Sequence, residues 1–267
     1  GTIDCAIICE MSDHKIIAVD ALPGAMVSNT RVHALSWDET LHLISDWAQA
    51  RESRYVCLCN VHSAVTAQSD QAFNSVLEQA DLVLPDGMPI AWVLRRRGFK
   101  NQPRIAGPDL MLRCCQEFEC REQSMFLYGS TPETLDKLRM KLRQQFPKLN
   151  IAGALSPPYR ALTQEEESET ISKINSSGAS VVFVALGCPR QEAWMLRQRG
   201  SIHAVMLGLG AAFDFHAGTL RRAPLWMQRC GLEWLHRLSI EPSRLWRRYL
   251  VTNTRFGISV LLDAVRR

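Results

Sequence analysis

Short apolar runs alternate with longer amphipathic stretches along this chain, and the rhythm holds from about residue 50 to residue 210. Arg54–Asn60, Ala80–Leu84, Ser124–Tyr128, Lys148–Leu155, Ser180–Leu186 and Ala204–Leu207 are apolar through their middles, so each predicts a buried strand. Helix-start signals lie between them. Ser36 with Glu39, Ser130 with Glu133, and Thr163 with Glu166 match the capping box, in which a hydroxyl and an acid satisfy each other's orphan amides. Pro132 is placed as a first-turn proline. Strands that are apolar on both faces and separated by helices predict a parallel sheet covered on both sides, an α/β Rossmann-like core. Ligands of such sheets bind beyond the carboxyl ends of the strands. The residues at those ends are Asn60, Pro85-Asp86-Gly87, Gly129-Ser130, Gly187-Cys188-Pro189 and Gly208-Leu209-Gly210. They are turn formers and polar groups rather than packing residues.

The rhythm stops near Ala223. Trp226, Leu232, Leu235 and Leu238 recur at helical spacing, and Pro242 opens a further helix with Leu245, Trp246, Tyr249 and Leu250 apolar. The chain therefore divides into a core, 1–222, and a helical appendage, 223–267. Charge sharpens the division. The net charge is only +4, but residues 219–267 carry ten arginines against three acids, which makes that segment +7 and the remainder −3. A basic tail on a slightly acidic body points to an anionic partner. No apolar run reaches the ~18 residues that span a bilayer, and no secretory pattern opens the chain. The expectation is a protein of the cell interior, soluble or attached to a membrane surface. The nine cysteines include no Cys-x-x-Cys pair and read as reduced, small hydrophobes rather than metal ligands. No nucleic-acid-binding motif is present.

Four segments of the core carry candidate chemistry. In Leu84-Pro-Asp-Gly-Met-Pro89, Asp86 sits on a rigid turn at a strand end. A carboxylate there can take a proton from an attacking hydroxyl, or it can simply cap the next helix. Arg104, in Arg104-Ile-Ala-Gly-Pro-Asp109, stands beside a helix start and suits a diphosphate clamp or an ordinary ion pair. In Ala185-Leu-Gly-Cys-Pro-Arg-Gln-Glu-Ala-Trp194, Gly187 and Pro189 leave backbone amides free for a phosphate or a uracil carbonyl, with Gln191 and Glu192 at the mouth. The stretch from Gly208 through Gly210 to Gly218 half matches a dinucleotide fingerprint. Phe213 replaces its third glycine and no helix clearly follows, so a nicotinamide site is disfavoured. Asp214 can still accept from a ribose hydroxyl. In the appendage, Arg244, Arg247 and Arg248 share a helical face suited to a diphosphate. The aromatic face suits a membrane interface, or else packs on the core and leaves the arginines solvated.

In order along the chain, Asn60, Ala80–Gly87, Arg104–Leu110, Phe126–Gly129, Leu186–Glu192, Gly208–Asp214, Arg222–Trp226 and Gly231–Leu238 with Glu241–Arg244 resemble the WecG/TagA/CpsF family of bacterial glycosyltransferases. The resemblance implies inverting transfer from a UDP-sugar to an undecaprenyl-diphosphate-linked sugar in surface polysaccharide synthesis. It implies a C-terminal appendage that meets the inner face of the cell membrane; with no Asp-x-Asp sequence in the chain, arginines rather than a metal or other cofactor are expected to meet the diphosphate. On this likeness Asp86 is the base and Arg104 the core arginine. Arg237, Arg244 and Arg247 hold the acceptor diphosphate, and Asp214 takes the ribose. Asn60, Tyr128, Gly129, Gly187, Pro189, Gln191, Gly208 and Gly210 fall in segments expected to hold the UDP-sugar. One position departs: some members carry a threonine where this chain has Leu58, leaving His62 or Ser63 as candidate hydroxyl or polar substitutes. The family likeness does not choose among N-acetylmannosamine, its uronic acid and glucose as donor sugar, and it leaves a homo-oligomer open. A non-catalytic nucleotide-binding regulator or scaffold is the alternative reading of the same core.

Overall fold

The protein is seen in a computed structural model that describes residues 21–243, 245, 246, 250 and 252–257. The described chain begins with an antiparallel hairpin, β1 (Gly24–Val27) and β2 (Thr30–His33), followed by α1 (Trp37–Gln49). The core then runs β3 (Arg54–Cys59), α2 (Val61–Ser69), α3 (Gln71–Glu78), β4 (Leu82–Pro85), α4 (Met88–Arg96), α5 (Gly107–Cys120), β5 (Ser124–Gly129) and α6 (Pro132–Gln145). It continues through β6 (Asn150–Leu155), α7 (Gln164–Ser176), β7 (Val181–Ala185), α8 (Arg190–Gln198), β8 (Val205–Gly208) and α9 (Ala212–Ala217). Two short helices follow, α10 (Leu225–Arg229) and α11 (Glu233–Ile240).

All six strands expected from the apolar runs form, and they make one parallel sheet in the order β4-β3-β8-β7-β5-β6. Side chains alternate between its faces with the period of two that a pleated strand imposes. Val56 and Leu58 of β3 enter one core layer with Ile44 and Trp47 of α1, Met111 and Phe118 of α5, and Phe213 of α9. Tyr55, Cys57 and Cys59 enter the other with Phe73 of α3, Leu94 of α4 and Trp194 of α8. Both layers are apolar, which is why the strands read as near-continuous hydrophobic runs.

Two of the three capping boxes form, at Ser36 and at Thr163. The third is displaced by one residue. Thr131 caps α6 by accepting from the Thr134 amide at 3.2 Å, and Pro132 is the first helical residue, as expected. The shift follows from the turn that leaves β5. Gly129 and Ser130 both have left-handed φ, 115° and 60°, and a Cβ at Gly129 would run into the Ala185 carbonyl. Ser130 is consumed by that turn and cannot cap. A second difference is α9, which does follow Gly208-Leu-Gly210. It is six residues long and ends at Gly218, too short to announce itself by periodicity. The β1–β2 hairpin was also invisible, because strands of four residues carry little alternation.

The edge away from the loops is locked by charge. Asp81 is buried and accepts from the Tyr55 amide, Arg54 and Arg199, each at 2.9 Å. At the β4 edge the buried His33 of β2 accepts the Val83 amide on Nδ1 at 3.0 Å. Burial, then the nearby Arg31 charge, pulls its imidazole from 6.5 down to about 4. The sign follows directly. Between those values the unfolded chain binds a proton that the folded chain refuses, so stability is full above about 6.5 and declines as pH falls toward about 4. That loss amounts to about 3 kcal/mol. His33→Asn keeps an acceptor near the Val83 amide and removes the titration. Denaturant unfolding across this pH range is expected to show a flatter profile for the variant.

Candidate active site

The loops at the carboxyl ends of the strands enclose one large cleft of about 1460 Å³. Its wall includes Asn60 after β3, Asp86 and Gly87 after β4, Ser130 and Thr131 after β5, Gly187 to Pro189 after β7, and Gly208 to Gly210 after β8. First-turn residues of α2, α4, α5 and α8 (Val61, Met88, Gly107 and Arg190) also line it. The amino end of a helix carries unpaired amides and the positive end of its dipole, so four such ends around one space favour an anion there.

Asp86 lies on this wall, partly exposed. Both of its oxygens are engaged. Oδ2 accepts from Asn60 Nδ2 at 3.3 Å, and Oδ1 accepts from the backbone amide of Gly107 at 3.1 Å. Asn60 is itself fixed, because its Oδ1 caps α2 by accepting from Ser63 N and from Ser63 Oγ. The backbone pins the turn as well: the Asp86 amide donates to Cys59 O and the Ile105 amide to Pro85 O. Burial, then the negative charge of Glu233, raises the Asp86 carboxyl above its ordinary value; the Gly107 and Asn60 bonds and Arg104 oppose the rise. An oriented carboxyl with raised proton affinity has the chemistry of a general base.

Arg104 points into the same cleft and has partners from the C-terminal helices. Nη1 bonds Glu233 Oε2 at 2.8 Å and Nη2 bonds Gln228 Oε1 at 3.3 Å. Asp109 lies 3.6 Å from Nη2 and takes Arg222 in a bidentate pair at 2.6 and 2.8 Å. Arg222 Nε approaches Glu233 Oε1 at 3.6 Å. Of the two readings of Arg104, the ion pair is therefore formed. It is not a solvated surface pair, for the Arg104 side chain is only 12% exposed and its partner Glu233 23%.

Gln191 and Glu192 are almost wholly buried in the cleft floor, joined by a 3.0 Å bond from Gln191 Nε2 to Glu192 Oε1. Burial is the leading cause that raises the Glu192 carboxyl. Gly208 and Gly210, expected to border the UDP-sugar, stand on the cleft wall against Met195 and the Gln191 amide. A Cβ on Gly208 would meet the Gln191 amide nitrogen at 3.1 Å, and one on Gly210 would meet its oxygen at 3.3 Å. Gly187 and Pro189 are on the wall, and Gly187 has φ 80°. Asp214, on α9, is also on the wall and accepts from Thr219 Oγ1 at 3.3 Å. Arg237 reaches the cleft from α11, with its guanidinium 5.9 Å from the centre of the Phe215 ring. Leu58 lies in the floor beside Gly107, and His62 and Ser63 line the wall next to Asn60.

Two expected positions stand off the cleft wall. Tyr128 is a core residue, 1% exposed and stacked on Trp194 at 4.4 Å, and burial pushes its phenol up to about 12. Both faces of β5 are covered, and the Tyr128 side chain enters the same core layer as Cys57 and Trp194. Gly129 makes the turn that brings Ser130 to the cleft and is not itself on the wall. Arg244 and Arg247 lie outside the described residues. Glu233, Gln228 and the Arg222–Asp109 pair had been given no role, although Glu233 and Arg222 stand in segments that carried the family likeness. Nothing local marks them, because their partners are more than a hundred residues away.

A doubly covered parallel sheet with its carboxyl edge opened into an anion-favouring cleft defines a Rossmann-like α/β protein. The chain belongs to the Glycosyl transferase WecG/TagA/CpsF family, whose profile matches residues 25–267. It is a glycosyltransferase. It is 32% identical over 210 residues to an N-acetylglucosaminyldiphosphoundecaprenol N-acetyl-beta-D-mannosaminyltransferase of Bacillus spizizenii, covering 78% of this chain and 79% of that one. It is 32% identical over 205 residues to the protein of the same name from Bacillus subtilis, covering 76% of this chain and 77% of the relative.

The C-terminal helices are seated on the core at a glycine. Gly231, between α10 and α11, has φ 72°, and a Cβ there would lie 3.1 Å from both Met88 and Trp92 of α4. The helical spacing of Trp226 to Leu238 is broken here into two short helices. Gly231→Ala is expected to loosen the seat at a cost of about 1–2 kcal/mol. Limited proteolysis should then cut faster in 219–232, with core unfolding little changed.

Proposed function

We propose that this enzyme moves a sugar, with inversion, from a UDP-sugar to the sugar of a polyprenyl-diphosphate-linked acceptor in bacterial surface polysaccharide synthesis. The observation that carries the reading is the Asp86 carboxylate, held by Asn60 and Gly107 on the wall of a cleft ringed by helix amino ends. In the proposed step Asp86 removes the proton of the acceptor hydroxyl. That oxygen attacks the anomeric carbon, the bond to the UDP oxygen breaks, and the pyrophosphate leaves with an added negative charge. Helix amino ends and arginines at the cleft stabilise that charge. Asp214 holds the ribose, and the Gly187–Gln191 and Gly208–Gly210 loops border the diphosphate and donor sugar.

The names of the two relatives make UDP-N-acetylmannosamine and an N-acetylglucosamine-diphosphate lipid the first pair to test. The acceptor is itself anchored in a bilayer. In keeping with that, Leu225, Trp226, Trp246 and Leu250 are exposed near the carboxyl terminus, beside a surplus of arginine. Exposed aromatic and aliphatic side chains with arginines nearby suit a membrane interface and a lipid diphosphate. Among the described residues no helix is long and apolar enough to cross a membrane, so the proposed attachment is peripheral, on the cytoplasmic side. Arg237, with Arg244 and Arg247, is proposed to take the acceptor diphosphate.

Incubation with a panel of UDP-sugars and polyprenyl-diphosphate sugars is expected to release UDP only when donor and acceptor are both present. Asp86→Asn should lower that rate roughly 10²- to 10⁴-fold while UDP binding, read by calorimetry, survives. Near-normal turnover of the variant would remove Asp86 as the base. UDP binding with no transfer to any acceptor would favour a regulatory role instead.

A further inference from the structure

The C-terminal helices do more than cover the cleft; they place a carboxylate in it. Glu233 is the first residue of α11, and its side chain lines the cleft with only about a quarter of its surface open to water. Arg104 grips Oε2 at 2.8 Å and Arg222 lies 3.6 Å from Oε1. Arg222 is in turn held by both oxygens of Asp109, and Arg104 by Gln228. These five side chains come from the loop before α5, α5 itself, the segment after α9, α10 and α11. A surface ion pair contributes little, but a partly buried network with bidentate geometry fixes its members in place.

We propose that Glu233 is a positioning residue which α11 contributes to the active site, fixing Arg104 in the cleft and placing a second carboxylate on the same wall as Asp86. The proposal rests on the reading of Asp86 as the base. Among the described residues, the groups that act on Asp86 are these. Glu233 of α11 and Arg104 act on it with opposite signs, the buried Cys59 of β3 has its thiol pushed up to about 12, and the Asn60 amide and the Gly107 N–H donate to it. Of these, Glu233 is the one that favours the protonated form by charge. Its loss leaves Arg104 released and unopposed, and both changes favour ionised Asp86 at lower pH. A weaker base also accepts the acceptor proton less readily. α11 thus tunes the proposed base as well as holding the arginine beside it.

The test is the pH dependence of kcat/KM for UDP release by the full-length enzyme with lipid-linked acceptor. Base catalysis requires ionised Asp86, so activity falls on the acid side through the Asp86 titration. Glu233→Gln keeps the side-chain shape and removes the charge. It is expected to lower kcat/KM by roughly tenfold or more and to move the acid limb to lower pH by about half a unit or more. UDP affinity should stay near that of the parent. Glu233→Asp keeps the charge one carbon shorter; it should hold the limb near the parent position and recover part of the rate. An unmoved limb in Glu233→Gln, with rate and thermal stability falling together, makes Glu233 a structural tie alone and overturns the proposal. Equal losses in the Gln and Asp variants overturn it too, and the Asp variant still decides if the Gln protein does not fold. The Asp86→Asn control separates the two ideas. If that variant turns over normally, the assignment of the base fails irrespective of Glu233. If it is inactive and the limb ignores residue 233, only the positioning role fails.

Discussion

A carboxylate withdrawn from water yet kept able to ionise constrains the rest of this molecule. Burial alone drives such a group toward its neutral form. Asp86 is held and balanced by what surrounds it: one amide from a side chain, one from a helix amino end, a guanidinium nearby, and a second carboxylate pulling the other way. Each comes from a different element, so the sheet order has meaning for chemistry. Neighbouring strands β3 and β4 deliver Asn60 and Asp86 side by side, and the Ile105–Pro85 backbone bond brings Arg104 and the start of α5 back to the same spot.

The same reasoning explains why the cleft is glycine-rich and why the glycines are not interchangeable. Gly208 and Gly210 make space for the Gln191 amide, whereas Gly129 makes space for a carbonyl and serves the turn. Gly231 permits the C-terminal helices to approach α4 closely enough for Glu233 to meet Arg104. A close approach set by one residue thus fixes a charge contact two positions later.

The sequence made the sheet legible because the strands are buried on both faces, and an apolar run survives as a signal even when propensities are mixed. Ser36 and Thr163 announced their helices through local chemistry that nothing else overrides. Ser130 failed because a left-handed turn, required by the nearness of Ala185, took precedence over capping. Of the site, Asp86, Asn60 and the glycine loops were legible, since they stand at strand ends where packing residues have no business. Tyr128 was misplaced because the strand's alternation aims it into the core against Trp194. Glu233 gave no signal, for an acid at the start of a helix looks like an ordinary favourable charge at a dipole until Arg104 is seen opposite it.

Arginine is therefore used in two ways around the cleft. Arg104 and Arg222 are matched by Glu233 and Asp109, so within this cluster positive charge is balanced and geometry is the gain. The helix amino ends and Arg237 are left to favour an anion. Balancing the cluster also matters for catalysis. On the reading of Asp86 as the base proposed above, an unopposed Arg104 would lower its proton affinity and attract a donor diphosphate toward it, in competition with the acceptor hydroxyl. Pairing Arg104 with a carboxylate that arrives on a separate helix keeps the cation in place while withholding much of its field as long as α11 is seated on the core.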